Sequence, residues 1–585
     1  MESFIIKKGS IHSKMDKIKI AVLASFTIIN FDKKLEQACN KYKIISDVYI
    51  APYQRYAQEI LNLDSDLYEH DPGIVFLMID VESFLLDYYS FPYRYDGAAR
   101  RNIIESKSKE IINLINTIKD NTDATIVINS FKVPQSTSMG ILENKQEYGF
   151  LESIQDLNEK IKNFTKNESR VFLFDLNTFY SRYGSEIIED KRLHYLADMK
   201  FSDLGLEKIS GEYVGYMIPK LSLTKKCLVL DLDNTLWGGV IGEDGIEGIK
   251  LGLENEGRLF LDFQKKILNL FERGVILAIN SKNNLDDVKD VFERHEYMLL
   301  KEKHFASIKI NWQDKATNMK EIAQELNIGT DSLIFLDDDK FNRELIRQTM
   351  PEVLVVDLPE DTAQFPAVID SLPWFNTFQI TQEDLKKGEM YVQQRKREEF
   401  KNTVTNVEEF LKNLNMLLTF IQANKFSIPR ISQLTKKTNQ FNLTTKRYSE
   451  DEIETLSQLP EYLVRAIKLE DRFGDNGLTG VVIIKKGQDE WSIDSLLLSC
   501  RILGRRVEFA LMEKLITDAK KENVHYILGS YIPTKKNAVV KNFYSECGFV
   551  SVEETEDEIK YKLDLSKTNL DNIIKTKEFF AIEEK

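Results

Sequence analysis

The stretch Leu228-Val229-Leu230-Asp231-Leu232-Asp233-Asn234-Thr235-Leu236-Trp237, followed by Gly238, Gly239 and Gly242, decides the reading of this chain. It begins as a short apolar run of the kind found in buried strands and ends in two aspartates one residue apart. Alternate side chains of an extended segment share a face, so Asp231 and Asp233 reach one site at the carboxyl end of the strand, where open α/β sheets place ligands. Two carboxylates that close repel unless a positive charge sits between them. A magnesium ion supplies that charge through oxygen ligands, and a phosphoryl group of the substrate completes its coordination.

Further elements follow in order. Phe271 to Ile279 reads as a helix end, a Gly274 turn and an apolar strand that delivers Asn280-Ser281-Lys282-Asn283, where a hydroxyl can bond a phosphate oxygen. Lys315 precedes the helical stretch Thr317 to Leu326, and a cation at a helix start is unfavourable unless it meets an anion. Ser332 to Leu336 is a third apolar strand and ends in Asp337-Asp338-Asp339.

This order resembles the haloacid dehalogenase (HAD) superfamily of phosphotransferases. The resemblance implies that Asp231 is the nucleophile, Asp233 the general acid/base, and Thr235, Ser281 and Lys315 the phosphate-binding residues. Asp337 and Asp338 would complete a magnesium site with Asp231 and the Asp233 carbonyl. The segment from Asp231 to Gly245 is similar to the FkbH-type branch, the subclass IIIC phosphatases, in which too little chain separates the first two motifs for a cap domain. The same holds here between Thr235 and Ser281. FkbH-type proteins are implicated in moving a glyceryl unit from 1,3-bisphosphoglycerate to the phosphopantetheine of an acyl carrier protein. Such loading is thought to pass through a cysteine near the aspartates. Here that position is Leu232, while Cys227 lies roughly 13 Å of extended chain from Asp231.

The C-terminal third carries a second signature. Trp491 to Leu498 reads as a strand, and Arg501-Ile502-Leu503-Gly504-Arg505-Arg506 opens an amphipathic helix from Val507 to Lys520, a geometry that aims backbone amides at one spot. With Asn537, Tyr544 and Cys547-Gly548-Phe549 it resembles the GNAT N-acyltransferases. That implies Arg501, Gly504 and Arg505 at the pyrophosphate of an acyl-CoA or a phosphopantetheine, Asn537 on its arm and Tyr544 as the acid. Arg506 stands where that family has a small residue. Arg430 to Thr445 also looks FkbH-like, and Lys436, Lys437, Lys446 and Arg447 form a candidate basic patch for carrier docking. Phe473 to Leu478 reads as a turn before a strand from Gly480 to Lys485.

In the first two hundred residues, apolar runs at Lys19 to Ser25, Asp47 to Ile50, Ile74 to Ile79 and Ala124 to Asn129 alternate with helical stretches at Asp32 to Lys41 and Asn102 to Lys119, the pattern of a doubly wound parallel sheet. It resembles the SGNH-hydrolase-related N-terminal domain of FkbH-type proteins, in which Ser25, Asn129 and His194 would stand for nucleophile, oxyanion donor and base. Ser25 lacks a Gly-Asp-Ser turn and His194 lacks an aspartate three residues before it, so a degenerate scaffold or docking surface is expected.

The division expected for the 585 residues is 1–220 SGNH-like, 221–378 HAD-like, 379–415 helical connector, 416–565 GNAT-like, and 566–585 a loosely held helical tail, making an α/β multidomain protein with a flavodoxin-like first domain, an uncapped Rossmann-like second and an α+β third. Asp361 to Phe378 is expected to close the second sheet. A net charge of −14 disfavours bare nucleic acid as a partner. No run is apolar enough to cross a membrane, the first residues lack a secretory core, and four scattered cysteines fit a reducing cytoplasm. The favoured function is magnesium-dependent phosphoryl chemistry on a phosphorylated small molecule, with glyceryl loading of an acyl carrier protein in polyketide, lipid or surface-glycan assembly. A phosphatase fused to an N- or O-acyltransferase acting on a sugar or amino acid, and a noncatalytic carrier-binding scaffold, are the alternatives.

Overall fold

Val22, Phe76 and Ile128 lie in apolar runs too short for helices and buried on both faces, and they form the centre of a parallel sheet. The computed structural model describes residues 16–401, 403–404, 406–568, 576 and 578–585. The strands β1 (Asp16–Ala24), β2 (Ile44–Ile50), β3 (Ile74–Met78), β4 (Thr125–Asn129) and β5 (Val171–Phe174) lie in the order β2-β1-β3-β4-β5, all parallel. Helices including Phe31–Lys41, Gly97–Asn121, Phe150–Lys166 and Asp203–Lys220 connect or follow these strands. This is the doubly wound order expected from the sequence, with one strand more than the apolar runs suggested, because β5 is only four residues long.

Pro373–Phe378 group with this first unit rather than closing the next sheet. The cause is aromatic packing: Phe378 stacks on Phe172 with centroids 4.5 Å apart, and Trp374 meets Tyr42 at 5.2 Å.

The second unit comprises Lys225–Leu372 and the described residues from Gln379 onward. Its first sheet holds β6 (Cys227–Leu230), β7 (Ile276–Ser281), β8 (Phe305–Ile310), β9 (Leu333–Leu336) and β10 (Leu354–Val356) in the order β10-β9-β6-β7-β8. All neighbours are parallel, with Leu230 level with Ile279 and Leu336, so three strand ends open at one edge. Only the helices Ile241–Gly248 and Asn255–Glu272 lie between the first two motifs, and no inserted domain covers this edge.

A second, mixed sheet is built from β11 (Met416–Gln422), β12 (Phe441–Asn442), β13 (Tyr462–Asp471), β14 (Gly474–Lys486), β15 (Glu490–Leu498), β16 (Tyr526–Tyr531), β17 (Val550–Glu554), β18 (Ile559–Asp564) and β19 (Phe580–Glu584). The order is β17-β18-β16-β15-β14-β13-β11-β19, with β12 beside β15. The pairs β15·β16 and β11·β19 are parallel and the rest antiparallel, and the helix Val507–Lys521 crosses from β15 to β16. Two expectations fail here. Phe580–Glu584 extends the sheet as a strand rather than ending a helix, since Phe580 is a buried apolar residue opposite Met416. The hairpin turns at Arg472 and Phe473, and β14 starts at Gly474, where Asp471 pairs with Gly474. The expected connector is helical over Gln382–Leu385, Lys387–Lys401 and Val407–Asn413. Among the described residues no helix is long and apolar enough to cross a membrane. The reading of the first residues as lacking a secretory core falls on 1–15, outside the described residues.

Candidate active site

Asp231 follows β6, and its amide donates to the Leu336 carbonyl of β9 at 3.0 Å, which ties the motif to the neighbouring strand. Beyond it the backbone turns sharply. Asn234 takes a left-handed φ of 51°, a conformation asparagine tolerates, and its side chain accepts the Gly239 amide at 2.9 Å. The turn brings the Ile241 amide back onto Asp233 Oδ1 at 3.1 Å, where the Trp237 indole N–H also donates at 2.9 Å. Asn283 Nδ2 donates to Asp233 Oδ2 at 3.0 Å and to Ser281 Oγ at 3.2 Å, so one amide positions two candidate groups. Burial lifts the Asp233 carboxyl above the usual range, with the Asp231 charge acting in the same direction against these three donors.

Lys315 opens the helix Lys315–Glu325, capped by Asp314, whose side chain accepts the Thr317 amide at 2.8 Å. Its ammonium is 1% exposed and sits 2.8 Å from Asp231 Oδ1 and 2.6 Å from Asp337 Oδ2. Burial would depress this lysine, but Asp231 and Asp337 outweigh it and hold the ammonium above its ordinary value. Asp337 is fully buried and accepts the Asp339 amide and Asn342 Nδ2 on its other oxygen. Burial and the Asp231 charge raise it. Asp338 is pushed up to about 7 by burial, then by the charges of Asp231 and Asp337. Carboxylate oxygens of Asp231, Asp337 and Asp338 lie within 4.8 Å of one another. Such a set of hard oxygen donors around a partly neutralised charge fits a small divalent cation. Asp231 Oδ1 makes no hydrogen bond beyond its ion pair, and the buried Thr235 hydroxyl has no partner among the described residues. Both are free to meet a ligand.

The structure therefore brings together Asp231, Asp233, Thr235, Ser281, Lys315, Asp337 and Asp338. Sequence reasoning assigned no role to Asn283, nor to Arg343, whose Nη1 donates to the carbonyls of Asp337 and Asp338 at 2.7 Å each and fixes the second acidic loop. The string Asn280-Ser281-Lys282-Asn283 contained the first signal; the second lay on a helix whose facing surface the sequence does not reveal. Leu232 and Cys227 are fully buried, and burial pushes the Cys227 thiol far up, so neither position offers a nucleophilic sulfur to the aspartates.

The residues implied for an acyl donor are placed differently. Asn537 is fully buried and already satisfied: its oxygen accepts the Thr534 amide at 2.7 Å and Tyr531 Oη at 3.2 Å, and its nitrogen donates to the carbonyls of Asn442 and Ile532, both at 2.9 Å. It clamps a loop onto β12 instead of facing a pantetheine arm. Tyr544 is fully buried in the apolar core, its hydroxyl lies against Gly529, and burial pushes the phenol up. A proton donor with no path to solvent or substrate does not serve as the general acid. Arg505 is turned inward to Asp471 at 3.0 Å, away from the amide cradle, and burial pulls it down to about 9. Gly504 is exposed with a φ of 78° and Arg506 shares the left-handed region at 62°, so the turn keeps its shape while the Arg506 guanidinium lies over the Phe579 ring. Between β15 and β16, residues 441–443 form an extra rung: Leu443 N donates to Leu496 O and Ile532 N to Leu443 O. Of the four basic residues suggested as a patch, Lys446 is paired with Asp494 and Arg447 is bonded to Thr435, Thr438 and Asn439.

In the first unit, Ser25 Oγ is 2.8 Å from Ser83 Oγ and accepts the Asp80 amide, while Asn129 is bonded to the Ile79 backbone and the Ser130 carbonyl. His194 lies 4.0 Å from Glu82, and no hydrogen bond among the described residues joins it to Ser25.

Residues 19–210 match the family model of the FkbH N-terminal domain. The N-terminal part of protein BF1531 from Bacteroides fragilis, solved as a phosphatase-domain-containing structure complexed with Mg, is 27% identical, covers 63% of this chain and 96% of its own, and superposes with a TM-score of 0.57. Two acetyltransferase structures are similar over a smaller part: the ribosomal-protein-S18-alanine N-acetyltransferase of Escherichia coli (18% identity, 26% of this chain and 97% of its own, TM-score 0.21) and the spermidine N-acetyltransferase of Vibrio cholerae in complex with CoA and spermine (20%, 26% and 96%, 0.21). No curated protein matches the chain.

Proposed function

We propose that this FkbH-type protein, an enzyme with a HAD-type phosphatase domain, transfers phosphoryl groups through Asp231 with the help of magnesium. The observation that carries the reading is the pairing of Lys315 with both Asp231 and Asp337, with Asp338 alongside, at the open edge of the parallel sheet.

Asp231, Asp337 and Asp338, with the Asp233 carbonyl, would hold the ion, which supplies positive charge to the phosphoryl oxygens and the carboxylates. The remaining steps belong to the chain. Asp231 attacks phosphorus and the bond to the leaving oxygen breaks, giving an aspartyl-phosphate. Asp233, held away from Asp231 by Trp237, Asn283 and the Ile241 amide, donates its proton to the leaving oxygen. It then takes one back from the water that cleaves the intermediate. Ser281 and Lys315 bind phosphoryl oxygens whose charge grows in the transition state, and Thr235 lends its unpartnered hydroxyl to the same group.

The uncovered edge suits a large substrate, and the favoured one is an acyl phosphate such as 1,3-bisphosphoglycerate, in polyketide, lipid or surface-glycan assembly. The thiol of an acyl carrier protein attacks its carbonyl carbon, the acyl C–O bond breaks and the C1 phosphate leaves. Asp231 takes the phosphoryl group from the C3 oxygen, so that a glyceryl thioester and two phosphates result. With Leu232 and Cys227 both sealed in the core, the accepting thiol is the carrier's own. The C-terminal domain contributes binding rather than acid catalysis, because Asn537 and Tyr544 are committed to the fold. Four free cysteines, three of them buried, suit a reducing cytoplasm.

The test is intact-mass analysis of a holo carrier protein incubated with the enzyme, magnesium and 1,3-bisphosphoglycerate, with Asp231→Asn as control. A glyceryl mass gain that requires Asp231 supports the proposal. Phosphate release without a gain would reduce it to a phosphatase, and turnover by Asp231→Asn would end it.

A further inference from the structure

Beside the aspartates, the carboxyl ends of β7 and β8 are stitched together by asparagines. Ser281, the last residue of β7, is level with Ile310, the last of β8, and each strand runs on into a short loop, Lys282-Asn283-Asn284 and Asn311-Trp312-Gln313-Asp314. Three bonds join the two segments. The Asn311 amide donates to the Ser281 carbonyl at 3.2 Å, Trp312 Nε1 to Asn284 Oδ1 at 3.2 Å, and Asn280 Nδ2 to the Lys315 carbonyl at 2.9 Å. Behind them, Asn318 Nδ2 donates to Asn280 Oδ1 at 3.1 Å and to Asn311 Oδ1 at 3.0 Å, and Asn311 Nδ2 donates back to Asn318 Oδ1 at 3.2 Å.

Asn280 and Asn318 are fully buried. Asn318 shares the inward face of the helix Lys315–Glu325 with Ala316, Met319, Ile322 and Ala323, where a leucine would bury apolar surface with no amide to desolvate. Stability alone does not call for this pair, since replacing both partners of a buried hydrogen bond by apolar groups of similar shape is close to neutral. What the pair adds is position. Every oxygen and nitrogen of the two side chains is bonded, and such a network admits one register where an apolar contact tolerates several. The register it fixes is that of two candidate phosphate-binding groups. Ser281 follows Asn280 in β7, and Lys315, whose carbonyl Asn280 holds, carries the ammonium shared by Asp231 and Asp337. When a phosphoryl group draws that ammonium toward itself, a fixed main chain keeps it aligned with Ser281 Oγ.

We propose that Asn280 and Asn318 are positioning residues for phosphoryl transfer: they lock the loop after β7 to the start of the Lys315 helix, so that Ser281 Oγ and Lys315 Nζ form a rigid cradle for phosphoryl oxygens before a substrate arrives. The inference rests on the phosphoryl-transfer reading and adds that this side of the site does not close on its substrate. Donors already fixed where charge develops need no reorganisation at the moment of reaction, and a misplacement of about 1 Å costs on the order of a hundredfold in rate.

Melting, kinetics and hydrogen exchange on the full chain test it. In the single variant Asn318→Leu, Asn280 Oδ1 stays buried without its donor, and melting should fall by about 5 °C. In the double variant, Asn280→Val with Asn318→Leu, both partners go, the Lys315 carbonyl keeps its bond within the helix and half-buried Asn311 turns to water. Melting should then return to within about 2 °C of wild type. The double variant should nonetheless turn over p-nitrophenyl phosphate and acetyl phosphate in magnesium with kcat at least about tenfold down and KM within about threefold, and the amides of 311–315 should exchange at least about tenfold faster. A double variant with wild-type kcat and exchange, one that changes only KM, or one that melts below the single variant would overturn the inference. Turnover by Asp231→Asn, or none by wild type with either probe, would instead fail the phosphoryl-transfer reading and take the inference with it.

Discussion

Replacing Lys315 by methionine removes the cation that neutralises Asp231 and Asp337 while keeping much of its volume. The ammonium is 1% exposed and 2.8 and 2.6 Å from its two partners. Breaking a buried pair by deleting one partner costs about 3–5 kcal/mol, because the remaining charge stays buried and uncompensated. At about 2–4 °C per kcal/mol for a domain of this size, the metal-free variant should melt roughly 10 °C below wild type. Magnesium should then change the comparison. In wild type the ion shares two of its three carboxylates with an ammonium, whereas in the variant it meets all of them uncompensated. Removing one like charge at close range strengthens ion binding by an amount on the order of 2–4 kcal/mol at an effective dielectric near 20. At one magnesium concentration that saturates both proteins, the variant gains that difference in binding free energy over wild type, so magnesium should recover about half or more of the deficit. Scanning calorimetry in EDTA and in magnesium, read on the transition that the ion shifts, measures both numbers. Equal magnesium stabilisation of the two proteins, or a variant as stable as wild type in EDTA, would refute the assignment of Lys315 as the internal counter-ion. Turnover should stay at least about a hundredfold down even in magnesium, since the phosphoryl group also loses its donor.

Magnesium affinity should depend on pH through Asp338. Its carboxyl, pushed up to about 7, is raised above its unfolded value, so it favours the metal-free fold at low pH and withdraws that contribution as pH rises toward 7. Binding the ion expels the proton, so affinity should rise roughly tenfold from pH 6 to pH 8 and then level off; titration calorimetry showing a flat profile would remove Asp338 from the site. Asn283→Ala should lower kcat about tenfold or more with little change in KM, since it frees both Asp233 and Ser281 from the orientation that one amide imposes, and a purely KM effect would contradict this. Tyr544→Phe should leave activity intact and shift stability by less than about 1 kcal/mol, because the hydroxyl it deletes is buried with no partner among the described residues. A loss of acyl transfer in that variant would restore the tyrosine as an acid.

The candidate site at the aspartate edge was legible because each of its groups sits where an apolar strand stops or a helix starts, and those boundaries are written locally. Leu228 to Leu230 must be buried, so Asp231 must emerge at an edge, and the same holds for Asn280-Ser281 and for Asp337-Asp338. What was missed depended on long-range packing. β5 and β10 are only four and three residues long, and β8, at six, is an edge strand that carries Ser307 and Lys309 among its apolar residues. Phe378 could not be assigned to the first unit without knowing that Phe172 offers it a stacking partner, and Phe580 reads as a tail until Met416 is placed beside it.

The acyltransferase-like residues show why a motif at the right spacing carries less weight when its side chains have other possible partners. Asp231 has no competing role, since an acidic residue at a sheet edge gains nothing by turning inward. Asn537, Tyr544 and Arg505 each have one. An asparagine satisfies four bonds when a strand such as β12 lies within reach, a tyrosine gains apolar burial beneath a glycine, and an arginine gains a carboxylate when Asp471 comes from the far end of β13. Residues 441–443, laid between β15 and β16, supply the carbonyl that Asn537 bonds, Asp471 holds Arg505, and Tyr544 packs in the apolar core with its hydroxyl unpartnered among the described residues, as is the buried Nη2 of Arg501. The two halves of the second unit therefore keep unequal inheritances from their sequence motifs. The aspartate edge brings together every group that the sequence placed there, whereas the mixed sheet turns Asn537, Tyr544 and Arg505 inward.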